Sequence, residues 1–377
     1  MTRFIHTSDW QLGKTWARLR PEAAARLAEA RLEAIRTLGK LATEHGAEFI
    51  VVAGDVFEHN SLSRETLGRA LEQLKALPVP VYLLPGNHDP LVADSIFYET
   101  QDIPGVHIVT DHTPIRVEGT STPVEIVGAP LLTRHPDTDL VALALDALPD
   151  DPEHPARILL AHGQVLNRDS IDNPATIDLG LIEDALQRGV INYVAMGDTH
   201  SAQTIGHSGA VWYSGAPEPT DFFDTATGGG ENNSGHALLV TLRDEGVDVE
   251  ELSTGTWTME AIEADVNSID DVEDFLARLD AYPNKSKTVI KYTLRGTIDL
   301  TAMNHLDAGL DARTPIFAAL YPRERLMDLT LAPGTEELDT LQLGGYADGA
   351  LRELLEASAD GDTTAEDALR LLFRLQH

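Results

Sequence analysis

The residues able to do chemistry in this sequence come in five short groups. Asp9-Trp10-Gln11, Gly54-Asp55, Gly86-Asn87-His88-Asp89, His162-Gly163 and Gly197-Asp198-Thr199-His200 supply carboxylate, amide and imidazole side chains. Such oxygen and nitrogen donors accept Mn2+, Fe2+ or Zn2+. A carboxylate lying between two cations can bridge them. Two metals roughly 3.5–4 Å apart clamp an in-line displacement at phosphorus and acidify a shared water. The chemistry in prospect is hydrolysis of a phosphoester. Taken alone, Asn87-His88-Asp89 after Pro85-Gly86 also reads as an ordinary turn, because Asn and Asp are common turn formers. The other four groups give it weight.

Groups so far apart can act together only if the fold gathers them. Residues 3–8 read as a strand running into the first group. Pro21 suits a first helical position, and Leu27, Ala34, Ile35, Leu38, Leu41 and Ala42 then recur at helical spacing. Phe49-Ile50-Val51-Val52-Ala53 predicts a buried strand ending at Gly54-Asp55. A helix over 63–76 and a third strand through Val79, Val81, Leu83 and Leu84 follow. Strands alternating with helices imply a largely parallel sheet. Asp9, Asp55 and Asn87 should therefore meet at one edge.

Shorter strands are expected at 106–109, 115–117 and 124–127, then a helix near 137–147. Ile158-Leu159-Leu160-Ala161 leads into His162, and Ile191 to Met196 leads into Gly197. An irregular loop over 167–180 and a helix near 181–188 separate them. Segments at 202–206, 210–214, 236–242 and 246–252 read as antiparallel strands closing a second sheet. The Gly-rich stretch 227–233 reads as a mobile loop. Beyond Thr254-Gly255-Thr256, a helix near 269–281, a strand at 287–295, a helix at 301–309 and a strand at 315–321 suggest a small α/β domain. Amphipathic helices near 347–357 and 364–375 end the chain.

Composition sets the bounds. A chain of 377 residues suggests two or three domains. No apolar run has the length of a membrane span, and the first residues lack the apolar stretch of a signal peptide. There is no Cys, which removes disulfides and thiolate metal sites. These features favour a cytoplasmic protein with no membrane partner. A formal net charge of −33 runs against nucleic-acid binding, which usually carries a basic footprint. High-salt adaptation or a GC-rich genome accounts for it more simply. Net charge speaks to solubility and partners, not to fold.

In order and spacing, the five groups resemble the five motifs of the calcineurin-like metallophosphoesterases across about 200 residues. Each motif is weak alone, and the set is specific. His6-Thr7-Ser8-Asp9-Trp10, Gly54-Asp55-Val56-Phe57 and a small domain after the catalytic one further resemble the SbcD type of DNA double-strand-break repair nuclease. The resemblance implies a four-layer α/β/β/α sandwich over residues 1–253. A capping α/β domain follows over 254–335, and a helical segment over 336–377.

By the same resemblance, Asp9, Asp55 and His200 hold a first metal with Gln11 beside them. Asp55 bridges to a second metal, held by Asn87 and His162 with Asp198 beside them. His88 protonates the leaving oxygen or stabilises the charged phosphorane, and Asp89 orients His88. Two positions depart from the family pattern: Gln11 stands where His is usual, and Asp198 stands where the first His of Gly-His-x-His is usual. The donor set moves toward oxygen, which favours Mn2+ or Mg2+ over Zn2+. Three readings stay open. Gln11 ligates through its carbonyl oxygen, or water takes its place, or the site is degenerate and inactive.

Half of the six lysines lie between 285 and 291. Strand alternation puts Lys287, Lys291 and Arg295 on one face, either a solvated face or a phosphate-contacting stripe. His59, close behind the second motif, is a further candidate for substrate contact. The C-terminal helices either pack on their own domain or, by resemblance, dock onto an SMC-like coiled-coil ATPase of the SbcC type. A homodimer is a further option. The leading expectation is a two-metal DNA nuclease with exonuclease or endonuclease activity in break repair. The alternatives are a phosphodiesterase or phosphatase on small nucleotides or phosphoproteins, and a non-catalytic scaffold for the ATPase.

Overall fold

The computed structural model describes residues 1–148, 154–165, 175–243, 246–331 and 346–359, and beyond them residues 362, 364, 365, 368, 369 and 371. It is a mixed α/β protein with several mixed sheets. The chain divides into two compact units. One holds 1–17, 24–222 and 230–257; the other holds 18–23, 223–229 and 258–377. Among the described residues, no helix is long and apolar enough to cross a membrane.

The first unit is built on two six-stranded sheets. In the first, β1 (Thr2–Thr7), β2 (Phe49–Val52), β3 (Val81–Leu83) and β4 (Val106–Ile108) run parallel, in that order. The second sheet uses β5 (Ile115–Val117), β6 (Val124–Gly128), β7 (Ala156–His162), β8 (Tyr193–Gly197), β9 (Ala202–Ile205) and β10 (Val211–Ser214). Its order is β5-β6-β7-β8-β10-β9, parallel in the middle and antiparallel at both edges.

The sheets meet face to face. Phe4, Phe49 and Tyr82 of the first share a buried cluster with Ile126, Ile158, Leu160 and Tyr193 of the second. Phe4 and Phe49 stack with ring centroids 5.0 Å apart. Helices cover the outer faces. Helix α1 (Pro21–His45) buries Ile35, Leu38 and Ala42 on the first sheet, and α2 (Arg64–Lys75) adds Ala70 and Leu74. Ser63 caps α2 by accepting from Thr66 N–H. Helices α3 (Leu140–Asp146) and α4 (Leu179–Gln187) bury Val141, Ala144, Ile182 and Ala185 against the second sheet.

The strands at 236–242 and 246–252 do not close the second sheet. Observed as β12 (His236–Arg243) and β13 (Gly246–Ser253), they join the first, with β12 antiparallel to β1. The reason is burial. Ala237, Leu238, Leu239, Val240 and Leu242 are all buried, so β12 needs a covered position on both faces, and the place beside β1 provides one.

The second unit has a sheet of its own. It contains β11 (Phe223–Asp224), β14 (Thr258–Asp265), β15 (Thr288–Ile298), β16 (Ala319–Pro322) and β17 (Asp328–Leu331). Helices α5 (Ile269–Asp280) and α6 (Leu300–Arg313) pack on Ile262, Ile290, Tyr292 and Leu294. Helix α7 (Tyr346–Ala359) contributes Leu351 to the same core, and Leu369 joins it. The rest of the helix expected at 364–375, and the loop expected from 167 up to residue 174, lie outside the described residues.

Candidate metal centre

All five chemical groups stand at the carboxyl ends of parallel strands, the usual place for a site in an open α/β sheet. Asp9 and Gln11 follow β1, Asp55 follows β2, Asn87 and His88 follow β3, His162 ends β7, and Asp198 and His200 follow β8. Backbone bonds lace the first two loops together: Asp9 N–H donates to Gly54 O at 3.0 Å, and Gln11 N–H to Asp55 O at 2.9 Å. Among the described residues, only four that are not glycine adopt positive φ: Asp9 (+53°), Gln11 (+44°), Asp55 (+54°) and Asp198 (+95°). Each is a candidate ligand. Left-handed backbone costs energy for a residue with a Cβ, so the strain is concentrated where these side chains are aimed inward.

Asp9, Asp55 and His162 each offer a ligand atom within 4.8 Å of the others, and all three are buried. His162 Nδ1–H is held by Ala53 O at 2.8 Å, which leaves Nε2 facing the cluster. His162 Nε2 lies 3.4 Å from Asp55 Oδ1 and 3.8 Å from Asp198 Oδ1. His200 Nε2 lies 3.6 Å from Asp9 Oδ1, and its Nδ1 contacts Glu231 Oε1 at 2.7 Å. Glycines make room for this crowding. A Cβ on Gly86 would sit 2.2 Å from Asp55 Oδ1, and one on Gly54, at φ +92°, would sit 2.2 Å from His162 Nδ1.

The residues present fit a divalent cation. Asp9 Oδ1 is buried with no hydrogen-bond partner. The Asn87 amide, with its NH2 turned inward, donates to both Asp55 oxygens, each 3.1 Å away, and stands 2.9 Å from His162 Nε2, which puts a side chain able to turn its oxygen to a cation beside the buried carboxylate. The electrostatics agree. Burial pushes the Asp9 carboxyl above the usual carboxylate range. Burial also works against a charge on His162, yet Asp55, Asp9 and Asp198 raise it well above the ordinary imidazole value. A pocket that draws protons onto imidazoles is one that attracts cations.

His88 stands at the rim with a third of its side chain exposed. Its Nε2 is 3.9 Å from Asp55 Oδ2, and its Nδ1 is 3.1 Å from Glu58 O. The sequence reading puts Asp89 behind His88, but the structure gives that place to Glu58. Asp89 is fully buried and turned into its own loop. It accepts Phe57 N–H at 2.8 Å on one oxygen and Gly86 N–H at 2.8 Å on the other. Burial, and then the neighbouring Asp55, push its carboxyl up to about 8. Its contacts tie the second and third motifs together.

The remaining candidates stand elsewhere. His59 accepts from Ser61 N–H at 3.2 Å. In the second unit, Lys287 lies in a short turn (Lys285–Lys287) ahead of β15 rather than on the strand face. Lys291 and Arg295 are on β15, with Arg295 paired to Glu263 at 2.9 Å. Two contributors escaped the sequence reading. Glu231, in the stretch expected to be a mobile loop, is buried against His200. Lys14 donates to Gln11 Oε1 at 2.8 Å; its spacing of three residues from Gln11 was the available signal.

Comparison with known proteins adds to this geometry. The chain is 26% identical over 244 residues to the DNA double-strand break repair protein Mre11 of Archaeoglobus fulgidus, covering 58% of this chain and 51% of that protein. It is 25% identical over 274 residues to the Mre11 protein of Methanopyrus kandleri, covering 68% of this chain and 58% of that one. The chain thus spans little more than half the length of these relatives. Among solved structures, a dimetal phosphatase from Danio rerio superposes over 67% of this chain and 96% of its own, at 11% identity and a TM-score of 0.39. The family model for calcineurin-like phosphoesterases matches residues 2–202, more than half of the chain, and takes in every candidate ligand. Five strand-end motifs around one acidic pocket, and a family match across all of them, make this chain a member of the calcineurin-like phosphoesterase family.

Proposed function

We propose that the protein is a metal-dependent DNA nuclease of the Mre11 and SbcD branch, hydrolysing phosphodiester bonds during double-strand-break repair. The observation that carries this reading is the convergence of buried Asp9, Asp55 and His162, with Asp9 Oδ1 buried and without a hydrogen-bond partner. Similarity to two archaeal Mre11 proteins supports the choice of DNA. Asp9, Asp55 and His200 would hold one ion, and Asp55, Asn87, His162 and Asp198 the other. The oxygen-rich set favours Mn2+. When bound, two such ions supply Lewis acidity toward a phosphodiester oxygen and an acidified water.

The protein's own residues do the rest. Glu58 O fixes the His88 ring with Nε2 toward Asp55, within reach of a leaving oxygen that needs a proton. Asp89 holds the loop that carries Asn87 and His88. A four-layer α/β/β/α sandwich would bring both sets of loops to one rim. An SbcC-type ATPase, DNA and a second copy of the chain are the partners proposed with this reading.

One observation favours a second reading, a phosphodiesterase acting on small nucleotides. Arg295 and Arg323 of the second unit are both engaged by Glu263, and Arg323 by Asp224 as well. These pairs leave less positive charge for a DNA backbone. Labelled duplex and single-stranded DNA, incubated with Mn2+ beside a chromogenic phosphodiester, separates the two. Cleavage of DNA that weakens steeply with added salt supports the nuclease. Turnover of the small diester alone supports the second reading.

A further inference from the structure

Gln11 does not present its oxygen to the centre. Lys14 Nζ, which can only donate, contacts Gln11 Oε1 at 2.8 Å. The amide NH2 therefore faces inward, and Gln11 Nε2 lies 3.3 Å from His200 Nε2. The other side of that ring is also committed. His200 Nδ1 meets Glu231 Oε1 at 2.7 Å and Thr220 Oγ1 at 2.5 Å. Nδ1 carries the proton toward Glu231, so Nε2 carries the lone pair, and the Gln11 amide occupies it.

The opposite half is arranged differently. Around Asp55 and His162 a further carboxylate converges, with Asp198 Oδ1 3.8 Å from His162 Nε2, while the Asn87 amide lies 2.9 Å from the same nitrogen.

We propose that the Gln11–Lys14 pair divides the centre into unequal halves. The Asp55–Asn87–His162–Asp198 half binds a divalent cation tightly. The Asp9–His200 half binds its cation weakly, because Lys14 holds the Gln11 amide N–H over His200 Nε2 and adds a fixed ammonium, where the other half has the Asp198 carboxylate. This inference rests on the metal-dependent reading of the site. It adds that Lys14 is a positioning residue, acting on the centre through Gln11.

The test is titration of the metal-free full chain with Mn2+ alone, followed by calorimetry and by the electron spin resonance of free Mn2+. The wild type is expected to take one equivalent tightly and a second at least about tenfold more weakly, the scale on which a ligand's neighbours alter metal affinity. Gln11→His should bring the second equivalent to within a few-fold of the first and produce the signal of a coupled Mn2+ pair. Lys14→Met, at a half-exposed position that tolerates change, should tighten the second equivalent while leaving the first in place. Two equal equivalents in the wild type, or a second isotherm that neither variant moves, would overturn this proposal while leaving a metal-dependent nuclease standing. No bound Mn2+ at all would overturn both.

Discussion

Glu231 reaches His200 across thirty-one residues of chain and contacts its Nδ1 at 2.7 Å. The carboxylate is itself held, by Thr220 N–H at 2.8 Å and by the Thr220 hydroxyl. An imidazole clamped this way cannot turn, and its Nε2 stays directed toward Asp9. Partners of this kind tune a ligand's basicity as well as its orientation. Glu231→Ala should weaken Mn2+ binding at the Asp9 half by about 10–100-fold, with Glu231→Gln falling between it and the wild type. Titration of the second equivalent of Mn2+ checks this, and unchanged binding would remove Glu231 from the site.

Gly86 lies so close to Asp55 that one methyl group should disable the centre. Its added Cβ would stand 2.2 Å from Asp55 Oδ1 and 2.5 Å from Asp55 N. The loop or the carboxylate must then move. Gly86→Ala is expected to cut Mn2+ affinity by about tenfold or more. The cost in stability should stay within about 3 kcal/mol, the common range for one substitution. A thermal melt and a metal titration on the same sample distinguish the two effects.

His88→Ala removes the rim imidazole and leaves every candidate ligand side chain in place. Phosphodiester turnover should fall by about 10²–10⁴-fold, the usual contribution of a positioned general acid. Mn2+ binding should hold at the wild-type level. Single-turnover kinetics read the first outcome and calorimetry the second; normal turnover would mean that another group supplies the proton.

His6 predicts how stability depends on pH. Its ring is fully buried, between Tyr193 Oη at 3.0 Å and Met196 O at 3.2 Å. Burial pushes it down to about 3. In the unfolded chain it titrates near 6.5, so the unfolded state binds the extra proton first as pH falls. Stability attributable to His6 is therefore complete above about 6.5 and declines from there toward about 3, by roughly 1.4 kcal/mol per pH unit within that window. Denaturant melts at pH 7 and pH 5 should differ by about 2 kcal/mol on this account. His6→Gln, which keeps polar atoms in place without the titration, should flatten that part of the profile.

The strand-end placement of the candidate ligands was legible because each group follows a short apolar strand, and the observed strands begin and end within about two residues of the expected ones. Convergence of Asp9, Asp55 and Asn87 followed from parallel pairing alone. What could not be read was pairing set by burial across long separations. Alternation in 236–252 predicts strands but does not say which sheet receives them. Glu231 sits among glycines that signal a loop, and nothing local shows that the loop is pinned by a distant imidazole. The strand β14 went unread because Glu260, Glu263 and Asp265 dilute its apolar positions. Lys287 missed the strand because the chain makes a turn at Lys285–Lys287 before β15 begins.

The place of β12 beside β1 has a consequence for biosynthesis. Phe4, among the first residues made, pairs with Val240, so the sheet that aims Asp9 is finished only when the ribosome has passed the end of β12. Until then β1 has an open edge, and contacts of such long sequence separation form slowly. The nascent chain should therefore carry every candidate ligand through Asp198 and His200 without yet holding them in register, and hydrolytic competence would arrive late and all at once.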